Sequence, residues 1–288
     1  MADAVTPLFA SARNVRTFED AAESYIEHGG EGRYLPPIIE YFGDDRPLAT
    51  ITPFDIKQMA LTLYPAHANS TRNRCVLAPA RAVMIHGYER GWCPLIRLSR
   101  FKQDPPRRKT PASIPWLQIF VRQCDLDGLP HIAALVMFMS LTGARISEAI
   151  NLRWREVDFM ARRVMLLKTK TEKYSPRGLT DALAKRLMAM GVNADPDDRV
   201  FRLSHRKSAN DRIKRVCERA DISYKSPHLC GRHAFATNAM ALGAGLREAM
   251  DAGGWKSVEV FVGTYVHIQD AHKLVTNRFN GISFDVDI

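Results

Sequence analysis

Leu141-Thr142-Gly143-Ala144-Arg145-Ile146-Ser147-Glu148 follows a strongly apolar segment that begins at Pro130. Proline suits the first turn of a helix and glycine its C-terminal cap, so a buried helix is predicted over Pro130 to Leu141, stopped at Thr142 and Gly143. Arg145 therefore emerges directly from the end of a core helix. Downstream, a short helix is expected over Ala144 to Leu152. Alternating or β-branched runs at Val157 to Phe159, Val164 to Leu167 and Tyr174 to Leu179 then predict three short strands, with turns at Ala161 to Arg162 and at Thr171 to Lys173. From Asp181 onward the spacing is helical again, and upstream a helix is predicted from Pro115 to Cys124.

Further upstream, Lys102-Gln103-Asp104-Pro105-Pro106-Arg107-Arg108-Lys109-Thr110-Pro111 is charged, proline-rich and aperiodic, as an extended linker is. Its cations, Arg107, Arg108 and Lys109 among them, suit a phosphate backbone, and a solvated spacer fits the same composition. Before it, Thr17 with Asp20 and Thr52 with Pro53 and Asp55 are helix-opening signals. Ile56, Met59, Ala60 and Leu63 fall at helical spacing. A third helix is predicted over Ser70 to Gly91, burying Val76, Ala80, Val83 and Met84, leaving Arg72, Arg74 and Arg81 polar, and kinked at Pro79. The expected domains are residues 1–101, helical with a basic face; a linker at 102–112; and residues 113–288, mainly α with a small antiparallel β-sheet.

The 288 residues are 46% apolar and 25% charged, which describes a globular chain, and the formal charge of +10 fits a polyanionic partner. An anionic membrane surface would attract the same charge. No run of about 18 apolar residues exists to span a bilayer. Met1 to Ala12 carries no Lys or Arg before its short apolar run, which Pro7 interrupts, so a signal peptide is not expected and a cytoplasmic location is. Cys75, Cys93, Cys124, Cys217 and Cys230 are scattered and odd in number, the pattern of buried, reduced thiols.

Three distant segments carry the chemistry: Leu141 to Glu148; His228-Leu229-Cys230-Gly231-Arg232-His233-Ala234-Phe235-Ala236-Thr237; and Gly254-Trp255 through Tyr265-Val266-His267. Together they resemble the tyrosine recombinases, the phage-integrase family, whose catalytic domain carries T-G-x-R-x-S-E, H-x-L-R-H-x-F-A-T, a glycine followed by His or Trp, and Y-x-H. The resemblance implies an N-terminal helical core-binding (SAM-like) domain and a DNA breaking-rejoining catalytic domain that clamp duplex DNA. It also implies a site-specific recombinase or integrase acting through a 3′-phosphotyrosine.

By that resemblance Tyr265 is the nucleophile and Arg145 and Arg232 grip the non-bridging phosphate oxygens, which planar guanidinium groups suit. The general acid is a lysine of the turn between two strands, where Lys168, Lys170 and Lys173 stand; Lys170, followed by Thr171, matches the family's placement best. His228 orients or accepts protons near the phosphate. It precedes Arg232 by four positions where the family has three, and on one helix either spacing would keep both side chains on one face. Trp255 takes the His-or-Trp position and can donate a hydrogen bond but not transfer a proton; it also stands one residue further from the tyrosine than the family's common spacing. Glu148 is expected to hold a catalytic cation or the adjacent helix, and His233 to play a buried structural part.

No cofactor or metal is implied: Cys230, His228 and His233 lack a further ligand at suitable spacing, and no Asp/Glu cluster suggests a divalent-metal nuclease. The expected partners are double-stranded DNA, further copies in a tetramer on DNA, and accessory DNA-bending proteins. The segment after Tyr265, with Leu274, Val275, Phe279 and Ile282, is the expected exchange element between subunits. A type IB topoisomerase would share the chemistry, and a DNA-binding regulator that has lost catalysis would share the fold.

Overall fold

Residues 15–104, 109–168, 173–265, 276, 279 and 280 are described by the computed structural model of the chain. The chain divides into two compact units, residues 1–107 and 108–288.

In the first unit Thr17 and Thr52 each accept a hydrogen bond from the backbone three residues on, while Asp20 and Asp55 reach back to the cap. These reciprocal caps start α1 (Phe18–Glu27) and α3 (Pro53–Leu63), with α2 (Pro36–Phe42) between them. A helical path then runs through α4 (Asn69–Arg72), a π turn at Asn73–Leu77, and α5 (Ala78–Glu89). The kink predicted at Pro79 takes the form of that wide turn, which absorbs the missing amide of the proline. Phe18, Ile38, Leu48, Ile56, Met59 and Val83 form a dry core, each contributing about 1.5–3 kcal/mol by leaving water.

The second unit is built around α7 (Pro130–Thr142), buried on nearly every side and ended by Gly143 at φ +67. Around it lie α6 (Ile114–Leu126), α8 (Ile146–Ala149), α9 (Asp181–Gly191), α10 (Arg206–Arg219), α11 (Pro227–Cys230), α12 (Arg232–Ala241), α13 (Leu246–Gly253) and α14 (Val258–Tyr265). An antiparallel sheet β1 (Val157–Asp158), β2 (Arg163–Lys168), β3 (Lys173–Gly178) has the order β1-β2-β3, with Lys168 paired to Lys173 at its open end. The helix expected over Ala144 to Leu152 shrinks to Ile146–Ala149, because Arg145 is extended and its amide is held by Glu148. The five cysteines are buried free thiols, and burial pushes Cys124 up to about 12.

His228 and Arg232 do not share one helix. The chain breaks at Gly231, so His228 belongs to α11 and Arg232 opens α12. A Cβ at Gly231 would stand 2.7 Å from both Met139 Cβ and the Pro227 carbonyl. Here α7 and the end of α11 touch backbone to side chain, and a glycine is the residue that fits. Gly231→Ala is accordingly expected to destabilise the protein by about 1–3 kcal/mol through overpacking. A thermal melt unchanged from wild type would contradict this.

Candidate active site

Gly143 ends α7, Gly253 ends α13, and their carbonyls converge on one cation. Arg232 Nη1 donates to Gly143 O at 2.7 Å and to Gly253 O at 2.9 Å. The guanidinium, 4% exposed, lies over the Trp255 ring with its carbon 3.5 Å from the ring centre. Such a desolvated cation–π contact is worth about 2 kcal/mol and, with two carbonyls, fixes the plane of the guanidinium. Trp255 is held in turn by Phe235, stacked at 5.9 Å, and by Phe261 of α14, edge-on at 4.9 Å. Glycine is required here because a Cβ at Gly253 would run into the indole.

Arg145 stands at the start of α8 with its side chain half exposed, paired to Glu148 Oε1 at 2.6 Å. Glu148 Oε2 accepts the Arg145 amide at 2.8 Å. An exposed pair of this kind contributes at most about 1 kcal/mol, so a stronger anion can replace it.

His228 is edge-on to His233, ring centres 5.8 Å apart. Its edge reaches solvent, yet its pKa is pushed below the ordinary value, by desolvation first and then by Arg232, Lys109 and Arg145. At neutral pH the ring is therefore neutral and able to accept a proton. Lys109 is exposed; three residues on, the Ala112 amide donates to Leu229 O at 3.1 Å and its carbonyl accepts from Asn238 at 3.1 Å. These bonds pin the chain after Lys109 to α11 and α12, beside His228.

The structure thus brings Arg145, Glu148, His228, Arg232, His233 and Trp255 together in one region of the second unit. Tyr265 is the last residue of α14, one turn beyond buried Phe261. Of Lys168 and Lys173 the strand positions are described. Lys170, Arg107, Arg108, Val266, His267, Leu274, Val275 and Ile282 lie outside the described residues; Phe279 is exposed. Among the described residues no group of three His, Cys, Asp or Glu side chains is placed to hold a metal ion. No helix among them is long and apolar enough to cross a membrane.

In the first unit Arg74 and Arg81 face outward, and Arg81 with Arg100 borders a shallow groove of about 180 Å³ floored by Leu77, Ile85 and Leu98. Arg72 instead turns inward: its guanidinium donates to the Tyr64 and Pro65 carbonyls and to Asn69 Oδ1 at 2.7–3.0 Å. It braces the loop between α3 and α4.

Sequence patterning missed Arg177. This β3 residue is 2% exposed, and its Nη2 donates to Gly253 O at 3.1 Å, the carbonyl that Arg232 also uses. The available signal was strand alternation, which puts Arg177 on the same face as buried Ser175.

A family model described as the phage integrase family matches residues 126–272. No curated protein sequence matches the chain. Among solved structures, the Tn1549 transposon integrase in complex with a circular intermediate DNA is similar at 16% identity, TM-score 0.70, covering 91% of this chain and 99% of that one. XerH site-specific recombinase bound to a palindromic difH substrate is similar at 13% identity and TM-score 0.67, with coverage of 91% and 83%. A lambda integrase dimer bound to a core site gives 12% identity and TM-score 0.62, with coverage of 95% and 80%.

Proposed function

The chain belongs to the phage integrase family, the tyrosine site-specific recombinases, and from that premise we propose that it cuts and rejoins duplex DNA with Tyr265 as the nucleophile. The observation that carries this reading is the seating of Arg232, where the ends of α7 and α13 and the Trp255 ring fix one guanidinium in a desolvated site.

In the proposed reaction the Tyr265 oxygen attacks phosphorus while Arg145 and Arg232 grip the non-bridging oxygens, where charge builds up. Glu148 holds Arg145 until the phosphate arrives and then releases it. Neutral His228 accepts a proton near the phosphate. Lys170 protonates the departing 5′-oxygen, so a 3′-phosphotyrosine and a free 5′-hydroxyl result. Because the phosphotyrosine keeps the bond energy, a 5′-hydroxyl from a partner strand reverses the step with the proton flow inverted, and neither ATP nor a metal enters. Trp255 cannot carry a proton; its part is to hold the Arg232 plane.

Outward Arg74 and Arg81 of the first unit, with Arg107, Arg108 and Lys109, are proposed to follow the phosphate backbone. Self-association into a tetramer on DNA, with accessory bending proteins, completes the reading. It is supported by Val258 and Val262, one turn apart on α14 and exposed, an apolar strip suited to a neighbouring subunit.

The test is a nicked suicide duplex carrying the site found by footprinting on flanking DNA: loss of the fragment beyond the nick traps the intermediate. A covalent band is expected, and its absence would overturn the reading. For the acid, Lys170→Ala is expected to slow cleavage by about a hundredfold or more and to recover when the bridging 5′-oxygen is replaced by sulfur, a better leaving group. Recovery with Lys168→Ala instead would move the acid there.

A further inference from the structure

Arg177 is a buried cation that the reaction as described does not use. It sits on β3 under the loop from Gly253 to Trp255, with Nη1 donating to Ser175 Oγ at 2.6 Å and Pro176 O at 3.0 Å and Nη2 to Gly253 O at 3.1 Å. Its Nε has no partner among the described residues. Gly254, at φ +67, leaves the space the guanidinium fills; a Cβ there would run into Arg177 Nη2. Among the described residues no carboxylate is hydrogen-bonded to it, and its Nη donors go to backbone and hydroxyl oxygens.

We propose that Arg177 is a positioning residue for strand cleavage, fixing the Gly253 carbonyl that it shares with Arg232 and thereby the plane in which Arg232 meets the phosphate. One carbonyl oxygen has two acceptor directions, and here each is taken by a guanidinium. If Arg177 is removed, Gly253 O loses one of its two guanidinium donors, and the catalytic arginine acquires the freedom the shared contact denies it. An apolar side chain would fill the same space without the cost of burying a charge; keeping the charge makes sense when the loop must be held by polar contacts. Electrostatics couples it to the outer clamp as well, since Glu148 and Arg145 both act on its proton affinity, in opposite directions and after desolvation.

The inference rests on the proposed reading of the site, and the experiment separates the two. Cleavage rates on the nicked duplex at saturating protein are compared for wild type, Arg177→Met, Arg177→Lys and Ser175→Ala. Two substrates are used, the ordinary phosphodiester and a methylphosphonate at the scissile position, which is neutral and makes less demand on a charge clamp. Arg177→Met is expected to cut the ordinary duplex about a hundredfold more slowly, the cost of a misplaced clamp, with DNA affinity unchanged. On the methylphosphonate the deficit is expected to shrink to about threefold, because less transition-state charge needs gripping. Arg177→Lys, keeping charge and one donor, is expected to recover about tenfold of the loss. Ser175→Ala removes one contact of the Arg177 guanidinium; it covers the case in which Arg177→Met fails to fold, with about a fivefold deficit on the same substrate pattern. Equal losses on both substrates, or none, would make Arg177 a packing residue. A wild-type protein that forms no adduct would instead overturn the reading of the site itself.

Discussion

Tyr265→Phe is expected to abolish the covalent protein–DNA adduct on the nicked suicide duplex while DNA affinity stays within about twofold, since surface phosphate contacts dominate binding and none is removed. The substitution deletes one oxygen and keeps the ring, so α14 should persist and Phe261 should stay edge-on to Trp255. What disappears is the atom that bonds to phosphorus. No neighbour is expected to substitute for it. A phenol is protonated at neutral pH, with a free pKa of about 10, and reacts when cations stabilise its anion and geometry lines it up. Of the other tyrosines of the second unit, Tyr174 is exposed on β3, and Tyr224 donates to Asn210 with its pKa raised by burial, which makes it a poorer nucleophile. Tyr224→Phe serves as the control and should leave the adduct unchanged. A covalent band that persists in Tyr265→Phe would reassign the nucleophile.

Local chemistry made much of the fold legible before any coordinates. Thr17 and Thr52 announce helix starts because a hydroxyl three residues from a carboxylate closes a cap whatever the rest of the chain does. Pro130 and Gly143 bound α7 for the same kind of reason, since each acts through its own backbone. The strands were legible through alternation, and the sheet they form is antiparallel with short reversals. Illegible features were those decided by a neighbour distant in sequence. Gly231 separates the helices of His228 and Arg232, and the reason no side chain fits there is in part Met139 of α7, a contact that the local sequence does not disclose. Arg72 looked like an outward cation by periodicity, yet its guanidinium donates to the carbonyls of the loop before it.

At the site the same division holds. The arginines of the clamp could be named from motifs, but not the manner in which Arg232 is held, which depends on two helix ends and an indole meeting at one point. Arg177 escaped notice because a charge in an inward strand position contradicts the apolar pattern used to find strands. Its partners, Gly253 and Gly254, lie in another element altogether. Buried polar groups of this kind mark places where sequence patterning fails, and such failures concentrate where function constrains the chain.

The second large effect expected is from Arg232→Lys. It keeps the charge and so isolates what the guanidinium's shape contributes. Lysine offers a compact ammonium, which can reach neither both carbonyls nor a phosphate oxygen in a fixed plane, and which stacks poorly on Trp255. Cleavage is expected to fall by about a thousandfold, or roughly 4 kcal/mol of barrier, with adduct formation slow rather than absent because Arg145 still grips the phosphate. Gly253 O keeps the Arg177 guanidinium, but Gly143 O loses the Arg232 donor in a buried place, which costs about 1–3 kcal/mol of stability and should lower the melting temperature. The two losses are separable. A guanidinium supplied from solution in place of the missing group should restore part of the rate if it can enter the site, without restoring the melt. Arg232→Lys cleaving within about tenfold of wild type, less than one preorganised donor is usually worth, would mean that the charge suffices. The seating of Arg232 by two helix ends and Trp255 would then serve the fold and not the reaction, and Arg145 alone would have to account for the stabilised phosphorane.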